Sequence, residues 1–126
     1  MSDTGDMIAF YRERLDEEAA AIEAPETWTA FEENEQTGTR RVDVDYSIER
    51  VTACTLSWRG EHIARQDPAR TLKRIEAQRE VIRLAERAHD FAPTFTSGFG
   101  AAMEQALRLF VVAYDGHPDY RAVWRP

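Results

Sequence analysis

The sequence predicts an α+β fold in which three helices pack with a small antiparallel β-hairpin or three-stranded sheet, in the order α-β-β-β-α-α. Three observations carry this expectation. Apolar residues recur every three or four positions near the front, apolar and acidic residues alternate between Val42 and Tyr46, and an Asp-Pro step at 67–68 opens a long segment without glycine or proline. At 126 residues the chain is sized for a single domain, 1–126, with one modest core. Apolar residues make up 43% and charged residues 31%, which is ordinary globular usage and excludes global disorder.

The first helix is expected from Asp6 to about Ala24. Ile8, Tyr11, Leu15, Ala19 and Ile22 then share one face, and Pro25 ends the run. "TWTAFEE" and "RRVDVDY" follow; in the second, Val42, Val44 and Tyr46 alternate with Asp43 and Asp45, the period of a strand with one wet face. "VTACTLSW" is dense in β-branched residues and reads as the next strand, joined by the polar stretch from Ser47 to Arg50 and closed by Gly60. Asp67 and Pro68 then form a strong helix start, because the carboxylate accepts free backbone N–H groups and proline suits the first helical position. This second helix runs to about Ala88. Its buried stripe is Leu72, Ile75, Ile82 and Ala85, with Arg79 in the stripe or on its margin. After a loop marked by Pro93 and "TSGFG", a third helix is expected from about Gly100 to Ala113, apolar around most of its circumference. Gly116 and Pro118 then shape a final turn that returns Tyr120 and Trp124 to the body.

Charge is unevenly distributed. The net of −7 comes from 16 basic and 23 acidic residues, and residues 1–35 hold 11 of the acids against 2 bases. The plainer account is that the acidic front neutralises the basic middle within the fold. Arginine dominates the bases, with Lys73 the lone lysine. On the second helix Glu76 and Glu80 form one row, and Arg79, Arg83 and Arg87 the next. Glu76–Arg79 and Glu80–Arg83 are each three apart, worth a few tenths of a kcal/mol per pair.

Motifs for catalysis and cofactors are wanting. There is no phosphate loop, dinucleotide fingerprint, paired-histidine zinc signature or nucleophile elbow, so no catalytic residue, cofactor or metal is assigned and an enzymatic role is unsupported. His62, His89 and His117 are scattered and read as capping or packing residues; "EENEQ" at 32–36 lacks the glycine and alternating ligands of a calcium loop. Gly98 and Gly100 lie before the expected helix and read as plain loop. Cys54, the only cysteine, reads as a small strand hydrophobe. With no cysteine pair, basic leader or long apolar run, a cytoplasmic location without membrane contact is expected.

"HIARQDPARTLKRIEAQR" at 62–79 and "LRLFVVAYDGHPDYRAVWRP" at 107–126 carry a family likeness, extended by "FYRERLDEEAAAI", the tryptophan after it and the hairpin. In these segments the chain resembles small actinobacterial and actinophage proteins grouped as a domain of unknown function. Many of those carry a cysteine-pair insert before the last helix that suggests a zinc ribbon. The stretch from Arg87 to Gly100 has no cysteine here, so metal binding does not transfer. The resemblance implies genome context, with the host cytoplasm as the location if the gene is phage-borne, and no reaction.

Three partner classes follow. The first is an interaction module, self-associating as a homodimer through the apolar third helix. In the second, Arg65, Arg70, Arg74, Arg79, Arg83 and Arg87 form a nucleic-acid surface, which the net negative charge opposes. The third is an acidic decoy in which residues 1–35 occupy a basic partner.

Overall fold

A computed structural model describes residues 3–34, 36, 38–90 and 93–126; the side chains of residues 33, 34, 54–56, 88–90 and 93–97 lie outside that description. In chain order the elements are α1 (Asp3–Ala20), β1 (Trp28–Asn34), β2 (Thr39–Val44), β3 (Arg50–Leu56), α2 (Ser57–Arg65), α3 (Pro68–Asp90) and α4 (Pro93–Val111). Two 3₁₀ turns, Val112–Tyr114 and Ala122–Trp124, follow. The α+β class stands with four helices rather than three. Contacts group the chain into two compact units, Met1–Ala20 with Glu76–Pro126, and Ala21–Ile75.

The additional helix is α2. Gly60, expected to close the sheet, is buried inside it, four residues before buried Ala64. Two small residues on one face let a helix approach a sheet closely, and α2 contacts all three strands. That packing outweighs the roughly 1 kcal/mol that glycine costs inside a helix.

Residues 21–75 build the sheet, an antiparallel meander in the order β1-β2-β3. Val42 sits opposite Ala30 on one side and Thr52 on the other, and is fully buried. Two residues along the same face, the Arg40 Nε donates to Ser57 Oγ at 2.9 Å and lies 3.5 Å from Glu61, so this is the face α2 covers. The opposite face carries Phe31 and Arg41. There Phe31 is 43% exposed, and the guanidinium of Arg41, its cross-strand partner, lies 5.4 Å from the ring centre. The expected alternation stops short of Tyr46, which is exposed at a φ of 60°. The chain has already reversed: Val44 N–H donates to the Glu49 carbonyl, and the Asp45 carboxylate accepts from the Thr27 hydroxyl at 2.7 Å and the Thr29 hydroxyl at 2.6 Å. Those hydroxyls, Thr29 first and then Thr27, hold the Asp45 carboxyl below its ordinary value of 3.8.

The expected helix start at Asp67 is present, and it does more than cap. Asp67 is 2% exposed; one oxygen accepts the Arg70 N–H at 2.9 Å, and the other accepts the N–H of Trp28, the first residue of β1, at 3.2 Å. The Ala69 N–H donates to the Glu26 carbonyl at 2.9 Å beside it. Farther along α3, Ile75 is fully buried while Leu72 is half-buried.

In the other unit, α1 begins at Asp3 and stops at Ala20, earlier than the apolar spacing suggests, leaving Ala19 and Ile22 half-buried. Asp3 and Asp6 in the first turn suit the positive end of the helix dipole. The last turn has no cation to balance Glu17 and Glu18, so extension is disfavoured. Its buried face is Met7, Ile8, Phe10, Tyr11, Arg14 and Leu15. Ile82 and Ala85 of α3, Leu107 and Val111 of α4, and Trp124 complete this core. α4 starts at Pro93, so the proline opens a helix instead of marking a loop, and Gly98 and Gly100 lie inside it. The terminal turn behaves as expected: His117 Nδ1 accepts the Asp119 N–H at 3.1 Å, and Trp124 is buried 5.1 Å from the Phe10 ring.

Two outcomes are expected from this unit-level picture. Asp67→Ala removes a cap and orphans the Trp28 N–H, and should cost about 2 kcal/mol in urea denaturation; Asp67→Asn, which keeps one acceptor, should cost about half as much. Asp45 should titrate below 3.8 in an NMR pH series, and Thr29→Val should move its midpoint up by more than Thr27→Val does. Because the folded value is depressed, the contribution of this carboxylate is present above the ordinary aspartate value and disappears as pH falls through the lowered one.

Candidate interaction surfaces

The six arginines considered as a binding surface divide by partner. Arg79 donates to Asp16 of α1 at 2.8 Å and lies 3.6 Å from Glu76. Arg83 meets Glu80 at 2.5 Å and Glu76 at 3.5 Å, and Arg87 meets Glu80 at 3.5 Å. The short pairs with Glu80 hold the Arg83 guanidinium above its ordinary value. One row of α3 is therefore a lattice of ion pairs. Its members are exposed enough that each pair adds only a few tenths of a kcal/mol. From the acidic front Asp16 answers Arg79; the reverse pairing also occurs, since Arg12 of α1 reaches Glu86 of α3. Arg74 is also engaged in an interaction. Arg65, at the end of α2, and Arg70, in the first turn of α3, instead border a groove within residues 21–75.

The most distinctive surface is on α4. Gly100, Leu107 and Val111 are buried on its inner side. Phe99, Ala102, Ala106, Leu109, Phe110 and Ala113 recur at helical spacing on the other side, continuing into the first 3₁₀ turn; Phe99 is 55%, Leu109 57% and Phe110 44% exposed. Only two charged residues lie between 98 and 113, and both are used inward. The Glu104 carboxylate accepts the Thr4 hydroxyl of α1 at 2.5 Å and pairs with Arg108 at 3.3 Å; Arg108 also donates to the Val123 carbonyl at 2.6 Å. The outer half of α4 is thus uncharged over four turns and, apart from exposed Gln105, apolar, in a chain that is 31% charged. Sequence alone marks this helix as apolar nearly all round. Which stripe is left outside is settled by where α1 lies.

A second feature escaped the sequence reading altogether: Arg14 is only 6% exposed. Its guanidinium carbon lies 4.9 Å from the Phe10 ring centre, Nη1 is 2.9 Å from His117 Nδ1, and Nη2 donates to Glu17 at 2.9 Å. Tyr114, His117, Tyr120 and Trp124 all ring Phe10 within 6.3 Å, mostly edge to face. The signal was available, since position 14 falls seven after Met7 and three after Tyr11, on the apolar face. Three buried polar atoms in this cluster, Arg14 Nε, Tyr120 Oη and Trp124 Nε1, have no hydrogen-bond partner among the described residues.

Of the histidines, His62 is exposed on α2, His117 belongs to the aromatic cluster, and the His89 side chain lies outside the described residues, as do the Cys54 side chain and part of "EENEQ". Among the described residues no three histidine, cysteine or acidic side chains gather as a metal site, and no helix is long and apolar enough to cross a membrane.

The family model for a family of unknown function, DUF6221, matches residues 4–126, and the chain belongs to that family. No curated protein and no solved structure matches the chain.

The buried arginine generates an expectation. Arg14→Ala should destabilise by about 2 kcal/mol through lost packing against Phe10 and His117, whereas Arg14→Met should stay within about 1 kcal/mol of the parent because it fills the space and removes an unsatisfied Nε. Chemical denaturation of the two variants side by side measures the difference.

Proposed function

We propose that this chain is a self-associating protein-interaction module whose contact face is the outer stripe of α4. The observation that carries the proposal is the charge-free run of Phe99, Ala102, Ala106, Leu109 and Phe110, exposed except for half-buried Ala106, beside an inner stripe already used for the core. Water contact along such a stripe is costly, at about 25 cal/mol per Å² of apolar surface. A second copy suits it best. A stripe with no charge repels nothing when it meets itself across a two-fold axis, and the alanines at 102, 106 and 113 allow two such helices to come close between the larger side chains. Four turns are small beside the roughly 800 Å² per partner of a standard interface, so association in the micromolar range is expected.

Nucleic-acid binding through α3 receives less support. Arg79, Arg83 and Arg87 already have carboxylate partners, and the net charge is −7. A decoy role for the acidic front is similarly weakened, because Asp6 pairs with Arg121, Asp16 with Arg79, and Glu18 accepts the Tyr114 hydroxyl. The resemblance to actinobacterial and actinophage proteins favours a bacterial or phage setting for the module, and the single cysteine favours a reducing compartment.

Light scattering after size exclusion, from roughly 1 to 300 μM, tests the proposal. The parent should shift from monomer toward dimer with concentration, and Leu109→Glu with Phe110→Glu should remain monomeric with unchanged helicity. A parent that is monomeric throughout, or a double variant that still dimerises, would remove this face from consideration.

A further inference from the structure

We infer that the groove within residues 21–75 is a binding site for a small organic phosphate, held by Arg65 and Arg70 with its body against Trp28. The groove encloses about 260 Å³ between the start of β1, the C-terminal half of α2 and the first turn of α3. Ala30 and Ala64 line it with methyl groups, which is why a concavity exists there at all. Trp28 borders it, and its indole is held in place, since Nε1 donates to Glu26 at 3.1 Å.

The groove's charged lining is Arg65, Arg70 and Glu61. In the same unit Arg40, Arg41 and Arg50 each lie near a carboxylate, at 3.5, 3.0 and 3.7 Å. Arg65 and Arg70 border the same concavity, and no carboxylate pairs with either among the described residues. The acids nearby are already committed: Glu61 faces Arg40, and both oxygens of Asp67 accept backbone N–H groups. The two guanidinium groups share the concavity with one acid, Glu61, whose carboxylate lies 3.5 Å from Arg40, so an oxyanion can still answer the arginine pair. A guanidinium presents a planar fork of donors that matches phosphate or carboxylate oxygens. A phosphomonoester carries about −1.5 to −2 charges at neutral pH and answers two arginines, where a carboxylate answers one. The volume lies just under the usual range of about 300–1,000 Å³ for small-molecule pockets, so the ligand is compact: a phosphoryl group on one small ring or short chain. The ring would lie against the indole and the alanine methyls.

Calorimetric titration of the full chain with phenyl phosphate at low salt tests this site. Saturable one-to-one binding with a dissociation constant below about 1 mM is expected, with benzoate weaker by about tenfold. Arg65→Gln and Arg70→Gln should each weaken phenyl phosphate at least tenfold while melting within a few degrees of the parent. Arg83→Gln should leave binding unchanged, and so should Leu109→Glu with Phe110→Glu, because the groove does not depend on self-association. Absence of saturable binding, retention of affinity in both groove variants, or an equal loss in Arg83→Gln would overturn the assignment; the last would mean a diffuse response to charge.

Discussion

Residues 21–75 depend on one buried carboxylate. Asp67 divides its two oxygens between the start of α3 and the start of β1, and the neighbouring Ala69 N–H closes onto the Glu26 carbonyl. A cap that only served α3 would leave the sheet free to slide along the helix. Because the second oxygen holds Trp28, the strand and the helix start are set relative to each other. Their separation then decides where Trp28, Arg65 and Arg70 fall around the groove. Burial makes the arrangement strong: a carboxylate removed from water must have its lone pairs answered, and here they are answered by backbone donors that cannot move away.

Electrostatics in the other unit follows a different logic. The ion pairs along α3 are exposed and numerous, and they keep a charged helix surface neutral without adding much stability. Arg14 is the reverse case, a single cation almost removed from water and surrounded by Phe10, His117 and Glu17. Its position on the apolar face of α1 links that helix to the terminal turn, through the same aromatic group that buries Trp124. The polar atoms left without partners there indicate that packing, more than hydrogen bonding, holds this end together.

The outer stripe of α4 and the groove in residues 21–75 are opposite kinds of surface with one common origin. On α4 both charged residues are drawn inward by Thr4 and Val123, leaving an apolar exterior. Around the groove Glu61 lies against Arg40 and Asp67 accepts backbone donors, so among the described residues neither Arg65 nor Arg70 has a carboxylate partner. In each case the surface is defined by which neighbours have already been satisfied.

Element types were largely legible in the sequence because they depend on near neighbours: the Asp67–Pro68 start, the strand alternation around Val42, the stripe of Ile75, Ile82 and Ala85, and the return of Trp124. Two of the departures, a sheet closed at Gly60 and a loop before Gly100, share a cause, for glycine is locally a breaker and only packing against the sheet or the core shows that a helix tolerates it. Burial of Arg14, the division of the arginines and the groove beside Trp28 were settled only in three dimensions. Each joins residues tens of positions apart, as Arg14 with His117 and Trp28 with Asp67 do, and no spacing rule reaches across such distances. The sequence by itself determined which segments become helix or strand and where they are capped. Tertiary structure decided which charges are paired within the fold and which stay at its surface, because pairing depends on proximity that the chain acquires only once it has folded.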